Sequence, residues 1–272
     1  MSKLKKALEK AKQARYQTEG KMVQEETSAP AAARHATSSK LDRCDINPTY
    51  ECTEVVSVDP AFLRKQKVIS LCHENDVADQ IKILRTQVLK GMKEFGGNSL
   101  LVTSANQGEG KTLTAINLAL SICQELDRTV LLVDADLRAP SIHRYFGFDG
   151  HAGLSDHLKV RANIADLLLN PGIPRLTILP AGKPLTNSSE LLGAPRMELL
   201  VKEMKERYPE RFIIFDSSSL LTSADPLVFS RFIDGVLLVV EAEKTTKSDL
   251  ERALQLLKDK PIVGTVLNKA KG

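Results

Sequence analysis

A chain of 272 residues can hold one α/β domain with a tail, or two small domains. Apolar residues make up 42% but aromatics only 4%, with no tryptophan, so the core must be built from Val, Ile, Leu and Ala, as in buried parallel sheets. The net charge of +4 is spread along the chain among Asp and Glu, which argues against a nucleic-acid partner.

Residues 1–25 form a first zone. Ser2 caps a short helix to about Tyr16, with Leu4, Ala7, Leu8 and Ala11 on a narrow apolar stripe ringed by Lys3, Lys5, Lys6, Lys10, Lys12 and Arg15. A basic amphipathic helix can touch an anionic membrane surface, but four such positions anchor poorly, and a solvated helix or one docked on a partner protein is the better reading. Residues 26–74 read as a flexible linker or tail. The string TSAPAAARHATSSK is too small and polar to order, and Leu41 to Val68 shows no period and either stays loose or wraps the domain.

The folded domain is expected over residues 75–272. Asp76 to Glu94 carries Val77, Ile81, Leu84 and Val88 at helical spacing. Strands are expected at Ser99–Val102, Thr129–Val133, Leu176–Leu179, Phe212–Phe215, Gly235–Val240 and Ile262–Leu267. Helices are expected at Lys111–Gln124, near Ile164–Leu169, at Ser189–Arg207, near Asp225–Phe232 and at Thr246–Lys258. This alternation implies an α/β fold, a mostly parallel sheet flanked by helices on both faces. Cys44, Cys52, Cys72 and Cys123 never form C-x-x-C and no His stands at ligand spacing, against a zinc site. No secretory leader and no apolar run of about 18 residues is present, so no transmembrane segment is expected and the thiols are expected reduced, in the cytoplasm.

The strand at Ser99 runs into Ala105-Asn106-Gln107-Gly108-Glu109-Gly110-Lys111-Thr112 and then a helix, which satisfies A/G-x-x-x-x-G-K-T, the phosphate-binding loop of P-loop NTPases. Gly108 and Gly110 let backbone N–H groups curl around phosphate oxygens, and the helix beginning at Lys111 aims its positive end at the same anion. The nucleotide set is therefore Gly108, Glu109, Gly110, Lys111, Thr112 and Leu113. Lys111 reaches the outer phosphates of ATP, and the Thr112 hydroxyl ligates Mg²⁺. A dinucleotide fold is excluded because Leu113 stands where the third glycine would be. Two further strands end in Asp134-Ala135-Asp136 and in Asp216, which puts three carboxylates at the ligand-binding edge of a parallel sheet. Asp216 and Asp136 are the expected metal partners with Thr112, and Asp134 either accepts a proton from an attacking hydroxyl or holds the metal. The bland alternative for each is a helix N-cap.

The strings TSANQGEGKTLTAINLA and LLVDADLRAPSIHRYFG, with GLSDHL, LPAGKPLTNSSELL, DGVLLVVEAEKTT and GTVLNK, resemble the bacterial tyrosine autokinases (BY-kinases) of exopolysaccharide synthesis, in the MinD/ParA-like branch of P-loop ATPases. The resemblance implies ATP- and Mg²⁺-dependent phosphorylation of tyrosine, with Lys111, Asp134, Asp136 and Asp216 catalytic, and Asn268 at the purine base. It also implies a separate membrane-embedded polysaccharide chain-length regulator as partner, a place at the inner membrane's periphery through that partner, and a homo-oligomer. Asp79, Lys82 and Arg85 are similar to the family's oligomerisation helix. Three departures stand out. Asp216-Ser217-Ser218-Ser219 replaces the usual Asp-x-Pro-Pro, so the stiffening prolines are missing. Asn106 stands where MinD/ParA ATPases carry a signature lysine. No tyrosine follows Tyr208, where autokinases carry a tyrosine-rich tail, which leaves Tyr50, flanked by Glu51 and Glu54, as the favoured acceptor over Tyr16, Tyr145 and Tyr208. The alternative is a MinD/ParA-like ATPase switch acting on a membrane partner without kinase activity; a nucleic-acid partition module is the weakest reading.

Overall fold

Runs such as Val130-Leu131-Leu132-Val133 have no polar alternation, so a strand made from them must be covered on both faces. The structure, a computed structural model, describes residues 53–68, 76–148 and 150–270. The expected N-terminal helix, the TSAPAAARHATSSK segment, Tyr16, Tyr50, Cys44, Cys52 and Cys72 lie outside the described residues. Among those described, eight strands form one sheet: β1 (Glu54–Val55), β2 (Ser99–Ser104), β3 (Thr129–Asp134), β4 (Leu169–Asn170), β5 (Leu176–Leu179), β6 (Arg211–Asp216), β7 (Gly235–Glu241) and β8 (Ile262–Asn268). Their order is β1-β4-β5-β3-β6-β2-β7-β8, parallel throughout except where β4 meets β5.

Alternate side chains of each strand enter one of two cores. Leu101, Leu131, Val133, Ile213, Phe215 and Leu238 meet Met197, Leu200, Val201 and Met204 of α7 (Pro195–Arg207) and Ala253 of α9 (Lys247–Leu256). Leu100, Val102, Val130, Leu132, Phe212, Ile214 and Leu237 meet Val88 and Met92 of α2 (Asp76–Phe95) and Ala115, Ile116 and Ala119 of α3 (Lys111–Ile122). Each such buried aliphatic contributes about 1.5–3 kcal/mol. The helix α3 is buried on nearly every side, which is why it is apolar all round. Arg85 of α2 fixes its carboxyl end, donating to the Ser121 carbonyl at 2.8 Å and pairing with Glu125 at 2.9 Å. Asp79 and Lys82 pair with each other at 2.8 Å on the exposed side of α2.

The chain refines the sequence reading at several places. Of the two courses expected for the stretch up to Val68, loose or wrapping the domain, residues 54–68 take the second: β1 pairs with β4, and Asp59 caps α1 (Pro60–Lys65), whose Leu63 is buried, as is Val68 after it. The apolar positions of this stretch are too few to show a period, yet suffice to seal the sheet edge. The helix expected over Ser189–Arg207 is two, α6 (Ser188–Leu192) and α7, because Pro195 lacks an N–H and forces Ala194 to extended backbone. The helix expected near Ile164–Leu169 is a single 3₁₀ turn, Ile164–Leu167, followed by β4. Beyond α8 (Asp225–Phe229), the expected helix tightens into a 3₁₀ turn at Ser230–Phe232. Two short helices, α4 (Ile142–Phe146) and α5 (Leu154–Val160), have too few turns to show periodicity.

Because Leu63 is 2% exposed within the main core, Leu63→Ala is expected to destabilise the domain by about 2–4 kcal/mol in urea unfolding. A loss below about 0.5 kcal/mol would mean residues 54–68 are not part of the cooperative unit.

Candidate nucleotide site

The parallel order places the carboxyl ends of β2, β3 and β6 side by side, with β2 pairing β6 and β6 pairing β3. The loop after β2 turns through Gly108 at φ +84° and Gly110 at φ +95°, and Thr114 N–H closes on the Gly110 carbonyl to start α3. A Cβ on Gly110 would lie 2.0 Å from Asn268 Nδ2, so any other residue here would be strained by the dihedral and would have to displace the Asn268 amide. The N–H groups of Gly108, Glu109, Gly110, Lys111 and Thr112 have no hydrogen-bond partner among the described residues, and no side chain caps α3. Five unpaired donors at one helix start are an anion cradle. Leu113 packs against the core, so it offers the site only backbone.

Facing this cradle are the three carboxylates. Asp134 and Asp216 stand opposite each other in the β3–β6 register, both fully buried. Lys111 Nζ reaches Asp136 Oδ2 at 3.1 Å, and Thr112 shares a 3.1 Å hydrogen bond with Ser141. Asp134 is well satisfied: it accepts from the N–H groups of Asp136 at 3.2 Å and of Ser141 and Ile142 at 3.0 Å each, which caps α4. Asp216 differs: neither of its oxygens has a donor in good hydrogen-bond geometry, and the Thr112 hydroxyl is the nearest candidate. Burial pushes the Asp134 carboxyl up, and the neighbouring Asp216 charge adds to this against the pull of the Ile142 and Ser141 N–H groups. Asp216 is likewise raised by burial, with Lys111 and the Thr112 hydroxyl drawing it back. Burial lowers Lys111, but Asp216, Asp136 and Asp134 more than offset it, so its ammonium is held above the usual value.

Sequence reasoning missed several residues. Ser141 touches Thr112, and the half-buried Tyr145 lies within electrostatic reach of Asp216 and Lys111, with its hydroxyl raised first by burial. Thr245 and Lys269 reach the phosphate loop, and only their position after β7 and β8, at the ligand-binding edge, could have signalled them. Asn268, expected at the base, donates its amide to the Glu109 carbonyl at 2.8 Å. The loop after Asp216 is tied without prolines: Ser217 N–H donates to Val102, Leu220 N–H to Ser104, Leu221 N–H to Ala105, and Thr103 Oγ1 to Ser218. A separate cleft of about 510 Å³ opens at the amino ends of the strands between Met92, Gly97, Lys205, Phe212 and Asp234, and no phosphate-loop residue lines it.

Fold and site together define a P-loop nucleotide-binding protein. No protein-family model matches the chain. It is similar to the tyrosine-protein kinase YwqD of Bacillus subtilis, 32% identical over 197 residues that span 71% of this chain and 81% of that protein. Among solved structures, the kinase domain of the Escherichia coli tyrosine kinase ETK superposes with a TM-score of 0.70 at 26% identity, over 83% of this chain and 91% of that domain. The septum site-determining protein MinD of Pyrococcus horikoshii, complexed with Mg-ADP, shares the fold at a TM-score of 0.52 and 24% identity, over 62% and 68% of the two chains. The chain belongs to the bacterial tyrosine-protein kinase family.

The raised Asp216 carboxyl carries a stability signature. Below the ordinary carboxylate pKa of about 3.9, folded and unfolded states are both protonated and the term vanishes. As pH rises, the unfolded chain releases the proton first, so stability falls through the window up to the raised folded pKa. Asp216→Asn is therefore expected to be more stable than wild type in EDTA at pH 8, by on the order of 1–3 kcal/mol. The gain should shrink as pH drops toward 4 in thermal melts. A gain independent of pH would contradict the buried-charge account.

Proposed function

We propose that this chain is an ATP-dependent protein-tyrosine kinase of exopolysaccharide synthesis, transferring the γ-phosphate of ATP to a tyrosine hydroxyl. The observation that carries the reading is the cradle of unpaired N–H groups from Gly108 to Thr112, with Lys111 beside it and three carboxylates facing it. The cradle takes the phosphates, Lys111 neutralises the outer ones, and Asn268 lies next to the loop where a purine would sit. Asp216 holds two buried oxygens with no donor, a demand that a cation fits. Thr112, Asp136 and Asp216 would hold Mg²⁺, which when bound neutralises charge on the transferring phosphoryl group.

Asp134 is the proposed acceptor of the tyrosine proton, and its raised carboxyl suits a proton carrier. One observation favours the second reading, an ATPase switch without kinase activity. Both Asp134 oxygens are already held by backbone N–H groups, as in a purely structural cap. The acceptor tyrosine in this reading is Tyr50, which lies outside the described residues, or a tyrosine of a partner. Tyr145 is half-buried in α4, and Arg211 covers the Tyr208 ring at 4.1 Å. No helix among the described residues is long and apolar enough to cross a membrane. By its family resemblance the reading places the kinase in the cytoplasm, joined to the inner membrane by a separate chain-length regulator. Homo-oligomerisation belongs to the same reading and would use Asp79 and Lys82, since Arg85 is committed to α3.

Lys111→Ala is expected to weaken Mg·ATP binding by about 2 kcal/mol or more, roughly thirtyfold, in titrations with a fluorescent analogue. Peptide mass spectrometry after incubation with Mg·ATP, alone and with a tyrosine-rich partner tail, separates the two readings. Phosphotyrosine in wild type that is lost in Asp134→Asn establishes the kinase. Hydrolysis of ATP with no phosphotyrosine on either protein establishes the switch.

A further inference from the structure

The outer side of the phosphate loop is held by groups from the far end of the chain. Lys269 Nζ donates to the Gly108 carbonyl at 2.8 Å, and Asn268 Nδ2 donates to the Glu109 carbonyl at 2.8 Å. The Glu109 carboxylate is 1% exposed and accepts from the Asn106 N–H at 2.9 Å and from the Thr245 hydroxyl at 2.5 Å. Thr245 Oγ1 also accepts from the Glu241 N–H at 2.8 Å, and Ala242 N–H donates to the Asn268 carbonyl at 2.9 Å. The loops after β2, β7 and β8 are thus one bonded unit. Lys269 reaches its carbonyl from a left-handed backbone, φ +58°, which a lysine adopts at a cost.

A trans peptide is planar, so its carbonyl and the N–H of the next residue point opposite ways. Drawing the Gly108 carbonyl outward toward Lys269 turns the Glu109 N–H inward. Drawing the Glu109 carbonyl toward Asn268 does the same for the Gly110 N–H. Thr245, gripping the Glu109 side chain, stops this segment from rotating. Without these bonds two consecutive glycine-flanked peptides would be free to flip, and an anion would have to order them on binding.

We propose that Lys269 and Thr245 are positioning residues for phosphate binding, which set nucleotide affinity by locking the Glu109 and Gly110 N–H groups inward without touching the nucleotide. The proposal rests on the nucleotide reading above, not on tyrosine as the acceptor. Lys269 also pairs with Glu241 at 3.0 Å, so a purely local charge-pairing role has to be separated from loop control.

The test uses the full chain and Mg·ATP. Lys269→Met is expected to raise both the dissociation constant and KM for Mg·ATP about five- to twentyfold, with kcat held within about twofold, since ground state and transition state share the lost contact. Lys269→Arg should restore most of the affinity, and Glu241→Gln, which removes its charge pairs with Lys269 and Lys244 but leaves the Gly108 contact, should change it less than about twofold. Thr245→Val, close in shape and on a different loop, should raise the dissociation constant about three- to tenfold and carries the test should Lys269→Met not fold. Unchanged affinity in the folded variants, a fall in kcat at unchanged KM, or a Glu241→Gln effect equal to that of Lys269→Met overturns the positioning role. A wild type that binds no Mg·ATP overturns the nucleotide reading together with it.

Discussion

Three carboxylates at the dry end of a sheet form an arrangement that water would dissolve and a protein must compensate. Asp134 and Asp216 are both fully buried and stand in register on neighbouring strands. Their mutual repulsion would drive the strand ends apart or force protonation unless positive partners lie close. Backbone N–H groups at the start of α4 answer Asp134, and Lys111 answers Asp136. Asp216 feels the Lys111 charge, but no donor bonds its oxygens. In the proposed reading a cation arriving with the phosphates would supply positive charge to Asp216, so cation and nucleotide would be coupled by electrostatics.

The sheet order makes that coupling possible. Because β6 lies between β2 and β3, the loop that binds phosphate and the strand ends that carry carboxylates share one crevice. The buried helix α3 holds the loop's far side against the core, and Arg85 fastens its other end. A helix with no free face cannot tilt in response to a ligand. Movement on binding is thus left to the loops above the strands, of which the segment after Asp216 is the most firmly tied, by three backbone bonds to β2 and its loop.

Much of this could be read from the chain alone, and the reasons differ by element. Strands buried on both faces write themselves as unbroken aliphatic runs, so β2, β3, β5, β6 and β7 were legible to within a residue or two at either end, as was β8, a partly exposed edge strand that is still largely aliphatic. The glycines and Lys-Thr of the loop carry their function in their spacing, as do carboxylates directly after strands. What stayed hidden depends on distant partners. The strands β1 and β4 have two residues each and exist only because they pair with each other and with β5. The split between α6 and α7 was available in Pro195, but the apolar period on either side masked it. The Arg85 contact with Ser121 spans 36 positions, and no local pattern distinguishes a charge that caps another helix from one that faces solvent.

The bonds that shape the phosphate loop have a bearing on how the protein is made. Thr245 meets Glu109 across 136 positions, Asn268 meets it across 159, and Lys269 meets Gly108 across 161. Contacts of such separation form late, because the chain between their ends must first be gathered. During synthesis the loop leaves the ribosome well before β8 does, so the early sheet carries a glycine segment whose conformation is still open. The loop's bonds are thus complete only once β8 has joined the sheet.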